Sequence, residues 1–426
     1  MKKIIITFAL LFGTLAIKAQ ETLTLSDAIQ RGVNQSFGIS IAKSNTQIST
    51  EQNTWGAAGA YPTLSFLANG SISTAFDETI VSGYAKLSSS WTVFNGFYIR
   101  RTKSILANTQ ELTEGLEMLE IENTIKGIIG SYYYVLMAQR SIEIAEEMYK
   151  LSYDLYNQKR DAIEWGGAGS YDLIQVEAAY LEDKKSLVQT KLAFENALIE
   201  LNNLMSEPEP SKLWVLSDDL NVPTNSYELA TMQDKMLSSN TTLKNQYINQ
   251  KARELEITQA RSGYAPTISL TAAIGETASG TYSNKDGYNS TSTSVFGIEA
   301  GLTLSYAIFN NGVVRRNVSI ANINKNITDT ETDEMKNVLV NSLYMYYNQL
   351  NQYNNILSLS DQHVSVLETN LNMSVDRYKL GTISSFNFRD VQLSYMSASL
   401  SRLQTIYDLM MIDLELLQLT GGILSE

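Results

Sequence analysis

Residues 296–305 are Phe-Gly-Ile-Glu-Ala-Gly-Leu-Thr-Leu-Ser, a segment in which apolar side chains occupy every second position. The apolar positions share one face: Phe296, Ile298, Ala300, Leu302 and Leu304. The positions between them hold glycine, glutamate, threonine and serine. A period of two predicts a β-strand with one apolar face. The small and hydroxyl-bearing residues of the other face are typical of a strand that borders water.

Three further segments show the same alternation, which gives four predicted strands at about 62–76, 82–95, 266–280 and 293–309. Each alternating run spans about 10–14 residues, and a tilted strand of an outer-membrane barrel needs about 9–11. The alternative is a half-buried sheet in a soluble domain, which gives the same alternation. The glycine, serine and threonine of the second face favour a membrane barrel with a wet interior.

The N-terminus indicates export. Lys2 and Lys3 precede an apolar run over residues 4–17, and small residues follow up to Ala19. This pattern predicts a signal peptide at 1–19 and a mature chain that begins at Gln20. An N-terminal membrane anchor is the alternative. Beyond Ala19 the sequence has no apolar stretch of the roughly 18 residues that a membrane-spanning helix needs, so insertion would require strands.

The two halves of the chain repeat each other. One constant offset in numbering carries Trp91 onto Tyr306, Arg100 onto Arg315 and Gly166 onto Gly381. The repeat predicts two helix–strand–strand–helix units. Their boundaries are these: repeat 1 at 20–205, a linker at 206–225, repeat 2 at 226–420 and a C-terminal tail at 421–426.

The sequence between the strands predicts long helices. The five prolines lie at positions 62, 208, 210, 223 and 266, so two long blocks contain none. The predicted long helices cover about 96–163, 170–205, 313–380 and 384–419. Apolar residues in these segments recur at steps of three and four, as in coiled coils. The first of them would be about 100 Å long at 1.5 Å per residue.

These elements predict a mainly α-helical fold with a membrane β-barrel portion. Four strands cannot close a membrane barrel, because the smallest known use about eight and open edges are not tolerated in lipid. The chain must therefore oligomerise to complete the sheet. Two copies would give eight strands and three would give twelve, and the residues alone leave both open.

The composition excludes most catalytic chemistry. The chain has no cysteine and a single histidine, His363, so thiol catalysis and histidine-rich metal sites are excluded. The sequence has no nucleophile elbow, zinc-protease or phosphate-loop motif. We therefore predict no enzyme activity, no catalytic residue, no cofactor and no metal. The net charge of -13 argues against nucleic acid as a partner.

Two helix breaks carry the most specific pattern. Residues 377–390 are Arg-Tyr-Lys-Leu-Gly-Thr-Ile-Ser-Ser-Phe-Asn-Phe-Arg-Asp, and the matching break of repeat 1 is at 165–172. Together with Phe94-Asn95-Gly96 and the Tyr61-Pro62 pair before the first strand, this pattern resembles the TolC-like outer membrane efflux proteins. The resemblance covers the whole mature chain.

That resemblance implies a homotrimer in the outer membrane, with a 12-stranded barrel and a periplasmic helical tunnel. It implies docking of a periplasmic membrane fusion adaptor, which links the tunnel to an inner-membrane pump, and contact with outer-membrane lipid. The function implied is a passive exit duct for efflux or type I secretion, opened at its periplasmic tip. The transported substrate stays open, since the pump selects it.

The resemblance also assigns residues to the tip. Asp172 matches an aspartate that latches the closed tip, and Tyr378 matches its tyrosine partner. Asp390 matches the inner of two constriction aspartates, whereas Asn387 stands at the outer position and Ile383 replaces a latch arginine. The helix-tip turns expected to dock the adaptor contain Gly166, Gly169, Ser170, Gly381 and Ser384. Gly381 can end the helix before the second-repeat break, and Ser384 or Ser385 can cap the helix that follows it. Ser170 can cap the helix after the first-repeat break.

Two other functions stay open from the residues. A membrane fusion adaptor also has long helical hairpins and an export signal, but it would lack the two strand pairs. An exported coiled-coil structural protein would have no lipid-facing strands.

Overall fold

A computed structural model describes residues 21–76, 78–164, 170–222, 227–283 and 289–423. The predicted signal peptide at 1–19 and the tip glycines Gly166 and Gly169 lie outside these residues. Among the residues described, no helix is both long enough and apolar enough to cross a membrane.

The described chain contains eight α-helices, one short 3₁₀ helix at Ser262–Tyr264 and six strands. The helices are α1 (Leu25–Gln35), α2 (Phe37–Gln52), α3 (Tyr98–Glu164), α4 (Ser170–Leu204), α5 (Leu229–Ser239), α6 (Thr241–Arg261), α7 (Val313–Lys379) and α8 (Ser385–Leu419). The strands are β1 (Thr22–Leu23), β2 (Thr63–Ala75), β3 (Glu78–Asn95), β4 (Val215–Leu216), β5 (Thr267–Ser283) and β6 (Asn289–Ser305). The mainly helical fold with four long strands is as predicted.

The helical stretch before each strand pair is broken once, at the same place in both repeats. Ser36 separates α1 from α2, and Asn240 separates α5 from α6. Both residues have an extended ψ near 120°, and the amide of each donates to a carbonyl four residues earlier. Neither break contains glycine or proline, so the sequence predicted single helices here.

The four long strands form one antiparallel sheet in the order β2-β3-β5-β6. Strands β3 and β6 differ most from the prediction at their ends. Strand β6 was expected at 293–309 but begins at Asn289 and ends at Ser305, and β3 begins at Glu78 rather than near 82. Residues 289–294 are asparagine, serine and threonine, and Ile80 and Val81 are adjacent apolar residues, so neither segment shows apolar alternation. Only pairing with the neighbouring strand fixes where these strands begin. Tyr306 and Ile308 therefore lie beyond the strand.

The register places the apolar positions on one face of the sheet. Phe66 pairs with Leu87, Leu87 with Ile274, and Ile274 with Ile298, so one row crosses all four strands. Phe66 is 72% exposed and Ile298 is 76% exposed. The apolar face therefore packs against nothing within the described chain.

The described chain divides into two compact units. The helical unit lies within Met1–Ile41, Met118–Thr241 and Asn337–Glu426, and the sheet unit within Ala42–Glu117 and Thr242–Lys336. Each unit takes segments from both repeats.

The core of the helical unit consists of interhelical clusters. The largest fully buried side chain among the described residues is Tyr132, whose single hydroxyl hydrogen is shared between the carbonyl of Leu23, at 2.9 Å, and Asp218, at 2.6 Å. The segment predicted as a linker contributes to this core, because Trp214 is 3% exposed and β4 pairs with β1 in parallel. Asp218 is a hydrogen-bond acceptor for this core.

Candidate functional site

The turn between α7 and α8 is built by local chain chemistry. Gly381 has a φ of +71°, a conformation that favours glycine. The amide of Gly381 donates to the carbonyl of Tyr378, and the amide of Thr382 donates to that of Arg377, both at 2.9 Å. These two bonds form a Schellman motif that satisfies the last carbonyls of α7. The Ser384 hydroxyl then accepts from the Asn387 amide at 3.2 Å and caps α8, so of the two predicted caps, Ser384 and Ser385, the first is used.

An ion pair joins α3 to α4 within the first hairpin, beside this turn. The Nζ atom of Lys159, near the end of α3, lies 3.3 Å from Oδ2 of Asp172, in the first turn of α4. The same Nζ atom lies 5.6 Å from the centre of the Tyr378 ring, within the range of a cation–π contact. Lys159 therefore contacts both residues that the family resemblance assigned to a latch.

The Tyr378 side chain is packed into the hairpin interface. Its ring centre lies 5.2 Å from that of Phe388, which is 4% exposed. The Tyr378 hydroxyl is buried and has no hydrogen-bond partner among the described residues. Burial raises the pKa of Tyr378, and the nearby charge of Asp172 raises it further. A buried hydroxyl without a partner costs free energy, so this arrangement favours any rearrangement that supplies one.

A second polar contact ties α4 to α8. The Nη1 and Nη2 atoms of Arg389 lie 2.8 and 2.7 Å from the two carboxylate oxygens of Asp183. The Gln392 amide donates to Asp183 at 3.0 Å and to the carbonyl of Met148 on α3 at 3.3 Å. The Asp183 side chain is only 2% exposed and that of Arg389 is 20% exposed. Three helices therefore meet at one carboxylate.

The remaining predicted tip residues occupy two environments. Asn387 and Asp390 are exposed and lie three residues apart on α8, which places them on the same face. Ile383, at the position of the family's latch arginine, instead packs against the apolar cluster of Met148 and Phe388. Helix α4 begins at Ser170, the position where a cap was predicted.

Sequence reasoning missed Lys159, Asp183 and Arg389. One signal for Asp183 was present, because it follows Asp172 by eleven residues, about three helical turns, and so shares its face of α4. Lys159 and Arg389 lie among other charged residues of the sequence, and nothing in their spacing marks them.

Residues 233–422 match the family model described as "Outer membrane efflux protein". Over these residues, somewhat less than half of the chain, the sequence is similar to the outer membrane efflux proteins. The match confirms the resemblance drawn from the helix breaks. Among curated proteins no match is found.

The fold of the whole chain matches solved structures. CusC, described in terms of transmembrane channel formation, matches with a TM-score of 0.76 and 17% identity over 96% of both chains. The CmeC outer membrane channel of Campylobacter jejuni matches with a TM-score of 0.74 and 16% identity over 93% of this chain and 85% of CmeC. The open state of the MtrE outer membrane channel of Neisseria gonorrhoeae gives 0.71 and 18%, over 94% and 89%. At these identities the likeness shows the shared fold.

The efflux-family segment contains one side of the candidate site. Tyr378, Gly381, Ser384, Asn387 and Asp390 lie inside the matched residues, whereas Asp172 and Lys159 belong to the first repeat. The tip contacts therefore join the family segment to the half of the chain that the family model does not match.

Proposed function

We propose that this chain is the outer-membrane exit duct of a tripartite efflux or type I secretion system, a passive conduit across the periplasm and outer membrane. The observation that carries this proposal is the sheet with an exposed apolar face and an opposite face on which serine, threonine and glycine are the most frequent residues. In water such a face would be a large apolar surface exposed to solvent, which is unfavourable. A bilayer covers it without cost, and the polar face then borders the pore.

The edges of the sheet support self-association. Strands β2 and β6 are the two outer strands, with 13 and 17 residues. Backbone groups along an open edge are unsatisfied in lipid, so each edge requires a partner strand. In the homotrimer implied by the family resemblance, β6 of one copy would pair with β2 of the next, and three copies would give a closed barrel of about twelve strands.

We assign the opening and closing of the duct to the helix tips. The contact of Lys159 with Asp172 and Tyr378 would hold neighbouring hairpins together in a closed tip. Exposed carboxylates at Asp390, repeated by symmetry at a narrow opening, would attract cations. An adaptor protein that binds the turns around Gly166, Gly169, Ser170, Gly381 and Ser384 would bias this two-state element toward the open form. The inner-membrane pump would supply the energy.

The alternatives fit the sheet less well. A periplasmic adaptor or an exported coiled-coil protein would be surrounded by water, where the exposed row from Phe66 to Ile298 would promote aggregation. Neither alternative explains why large apolar residues occupy that face over four strands.

The proposal is tested by the state of the full-length protein in its host cell. We expect it in the outer-membrane fraction, with a detergent-corrected mass of three chains, a heat-dependent shift in gel mobility and ion-conducting channels in planar bilayers. A water-soluble monomer without conductance would overturn the proposal.

A further inference from the structure

The polar face of the sheet is not uniform along the strands. Strand register divides this face into rows of residues that lie side by side across β2, β3, β5 and β6. Most rows carry small residues; one such row is Thr63, Ser90, Thr271 and Gly301, and another is Ser71, Ser82, Ser279 and Thr293. If this face borders a pore, the short side chains of these rows extend only a small distance into it.

Three consecutive rows between them are different. They are, in order, Ser65, Ser88, Ala273 and Glu299; Leu67, Lys86, Gly275 and Gly297; and Asn69, Tyr84, Thr277 and Val295. We call these three rows the central band. Apart from Glu78 at the hairpin end, Lys86 and Glu299 are the charged residues of the polar face within the described strands. The large side chains Leu67, Tyr84 and Val295 lie in the same band.

Glycines shape the floor of the central band. A Cβ atom at Gly275 would collide with the backbone carbonyl of Ala85 and with Lys86, so the close approach of β3 and β5 requires glycine there. A Cβ atom at Gly297 would meet nothing, which shows that the space above this residue is open. A depression of about 180 Å³ lies here, lined on one side by Lys86 and on the other by Glu299.

The two charges are held apart across this depression. Lys86 and Glu299 are two strands and one row apart, so their Cα atoms are about 12 Å from each other. The Nζ atom of Lys86 lies 4.9 Å from the centre of the Tyr84 ring, which positions the ammonium group over an aromatic face. Positive and negative charge therefore lie at separate places on adjacent rows of the sheet.

We propose that the central band is a second constriction, inside the strand-lined part of the duct, where Lys86 and Glu299 select among small ions and charged solutes. This proposal rests on the proposed function, because only in a closed barrel does the polar face surround a pore. Three copies would give a ring of alternating ammonium and carboxylate groups. In a narrow passage with low-dielectric walls, such fixed charges act on a passing ion more strongly than in bulk water.

The test is the reversal potential of single channels of the full-length protein in a salt gradient. We expect Lys86→Glu to raise the cation-to-anion permeability ratio, and Glu299→Lys to lower it, each by roughly threefold or more. The double variant, which exchanges the two charges, should return the ratio toward that of the unmodified channel. Glu78→Lys makes the same charge change as Glu299→Lys, but at the hairpin end of β3, and should change the permeability ratio less.

A second measurement covers the case in which these variants do not assemble. The chain contains no cysteine, so Ala273→Cys in the central band and Thr281→Cys two rows beyond it each introduce a unique thiol. Modification of the assembled channel with a bulky charged thiol reagent should lower conductance strongly at position 273 and weakly at 281.

The outcomes distinguish the two proposals. If the unmodified protein forms no channel, the proposed function fails. If it forms channels but the permeability ratio does not change with the charge at positions 86 and 299, only this inference fails. The same holds if thiol modification lowers conductance equally at positions 273 and 281.

Discussion

Arg389 and Asp183 form a doubly hydrogen-bonded ion pair between α8 and α4, with nitrogen–oxygen distances of 2.7 and 2.8 Å. The two residues are far apart in sequence, and the carboxylate is almost fully removed from solvent. Gln392 adds a third helix to the contact through the carbonyl of Met148. This geometry makes the pair a clamp that fixes how the hairpins pack next to the candidate tip.

Arg389→Met should destabilise the helical unit by about 3–5 kcal/mol, since it leaves the Asp183 charge buried without its partner. Thermal unfolding of the purified assembly measures the effect. Lys185→Met is the matched control, because the Lys185–Glu182 pair is 60% exposed at both side chains and should contribute less than about 1 kcal/mol. Equal losses in the two variants would show that the buried pair has no special role.

Lys159→Met should shift the channel toward its open state by roughly two- to fivefold. The ion pair with Asp172 is partly exposed, and such pairs contribute about 0.5–1 kcal/mol. The open fraction in single-channel recordings is the measurement. Lys191→Met removes a comparable ion pair with Glu146 away from the turns and should leave that fraction unchanged. An unchanged open fraction in Lys159→Met would remove this residue from the latch.

Asp390→Ala should weaken block of the channel by divalent cations, because it removes one negative charge per chain from the exposed face of α8. Asn387→Ala changes the neighbouring position without a change in charge and should alter the block less. Titration of the single-channel current with a divalent cation gives the two blocking constants. If both variants are blocked as strongly as the unmodified channel, the constriction lies elsewhere.

Ile298→Lys should impair membrane assembly. Ile298 is 76% exposed on the apolar face, and a lysine facing lipid near the bilayer midplane costs about 2–4 kcal/mol per chain. Ser279→Lys introduces the same charge on the polar face and should be tolerated. The measurement is the fraction of protein that shows heat-dependent gel mobility in the outer membrane. Normal assembly of Ile298→Lys would argue that this face does not contact lipid.

Tyr132→Phe should lower the free energy of unfolding at neutral pH. It should also make that free energy fall less as the pH is raised. The change removes the hydroxyl hydrogen that Leu23 and Asp218 share as acceptors, at a cost of about 1–3 kcal/mol. Burial and Asp218 raise the pKa of Tyr132. Above a pH of about 10, the unfolded chain releases this proton while the folded one retains it, so stability falls as pH rises. The measurement is Tm at pH 8 and at pH 11 for the unmodified protein, for Tyr132→Phe and for the control Tyr171→Phe, whose tyrosine is exposed. If Tm falls between the two pH values as much in Tyr132→Phe as in the unmodified protein, the prediction is contradicted.

The sequence predicted the local features of the site well. Gly381 and Ser384 follow from turn and cap chemistry, which depends on a few neighbouring residues. The strand alternation predicted the apolar face, since side-chain direction follows directly from the strand period. Strand ends were predicted less well, because β6 is extended by pairing over Ser- and Thr-rich residues that carry no apolar signal.

The segment at 206–225 shows a different kind of error. Its prolines indicated a linker, and the sequence gives no periodicity there from which to infer burial. Yet Trp214 is buried, and its indole donates to the Asn202 side chain at 2.6 Å. Burial of an isolated aromatic residue depends on which helices lie around it, and that is a property of the packed chain.

By itself, the sequence determined the two repeats, the four amphipathic strands and the turns between long helices, because each depends on periodicity or on contacts a few residues apart. The tertiary structure decided which distant charges meet: Lys159 with Asp172, and Arg389 with Asp183. It also decided that Lys86 and Glu299 lie near one level of the sheet. Such partnerships depend on helix rotation and strand register, which are fixed only when all the segments pack together.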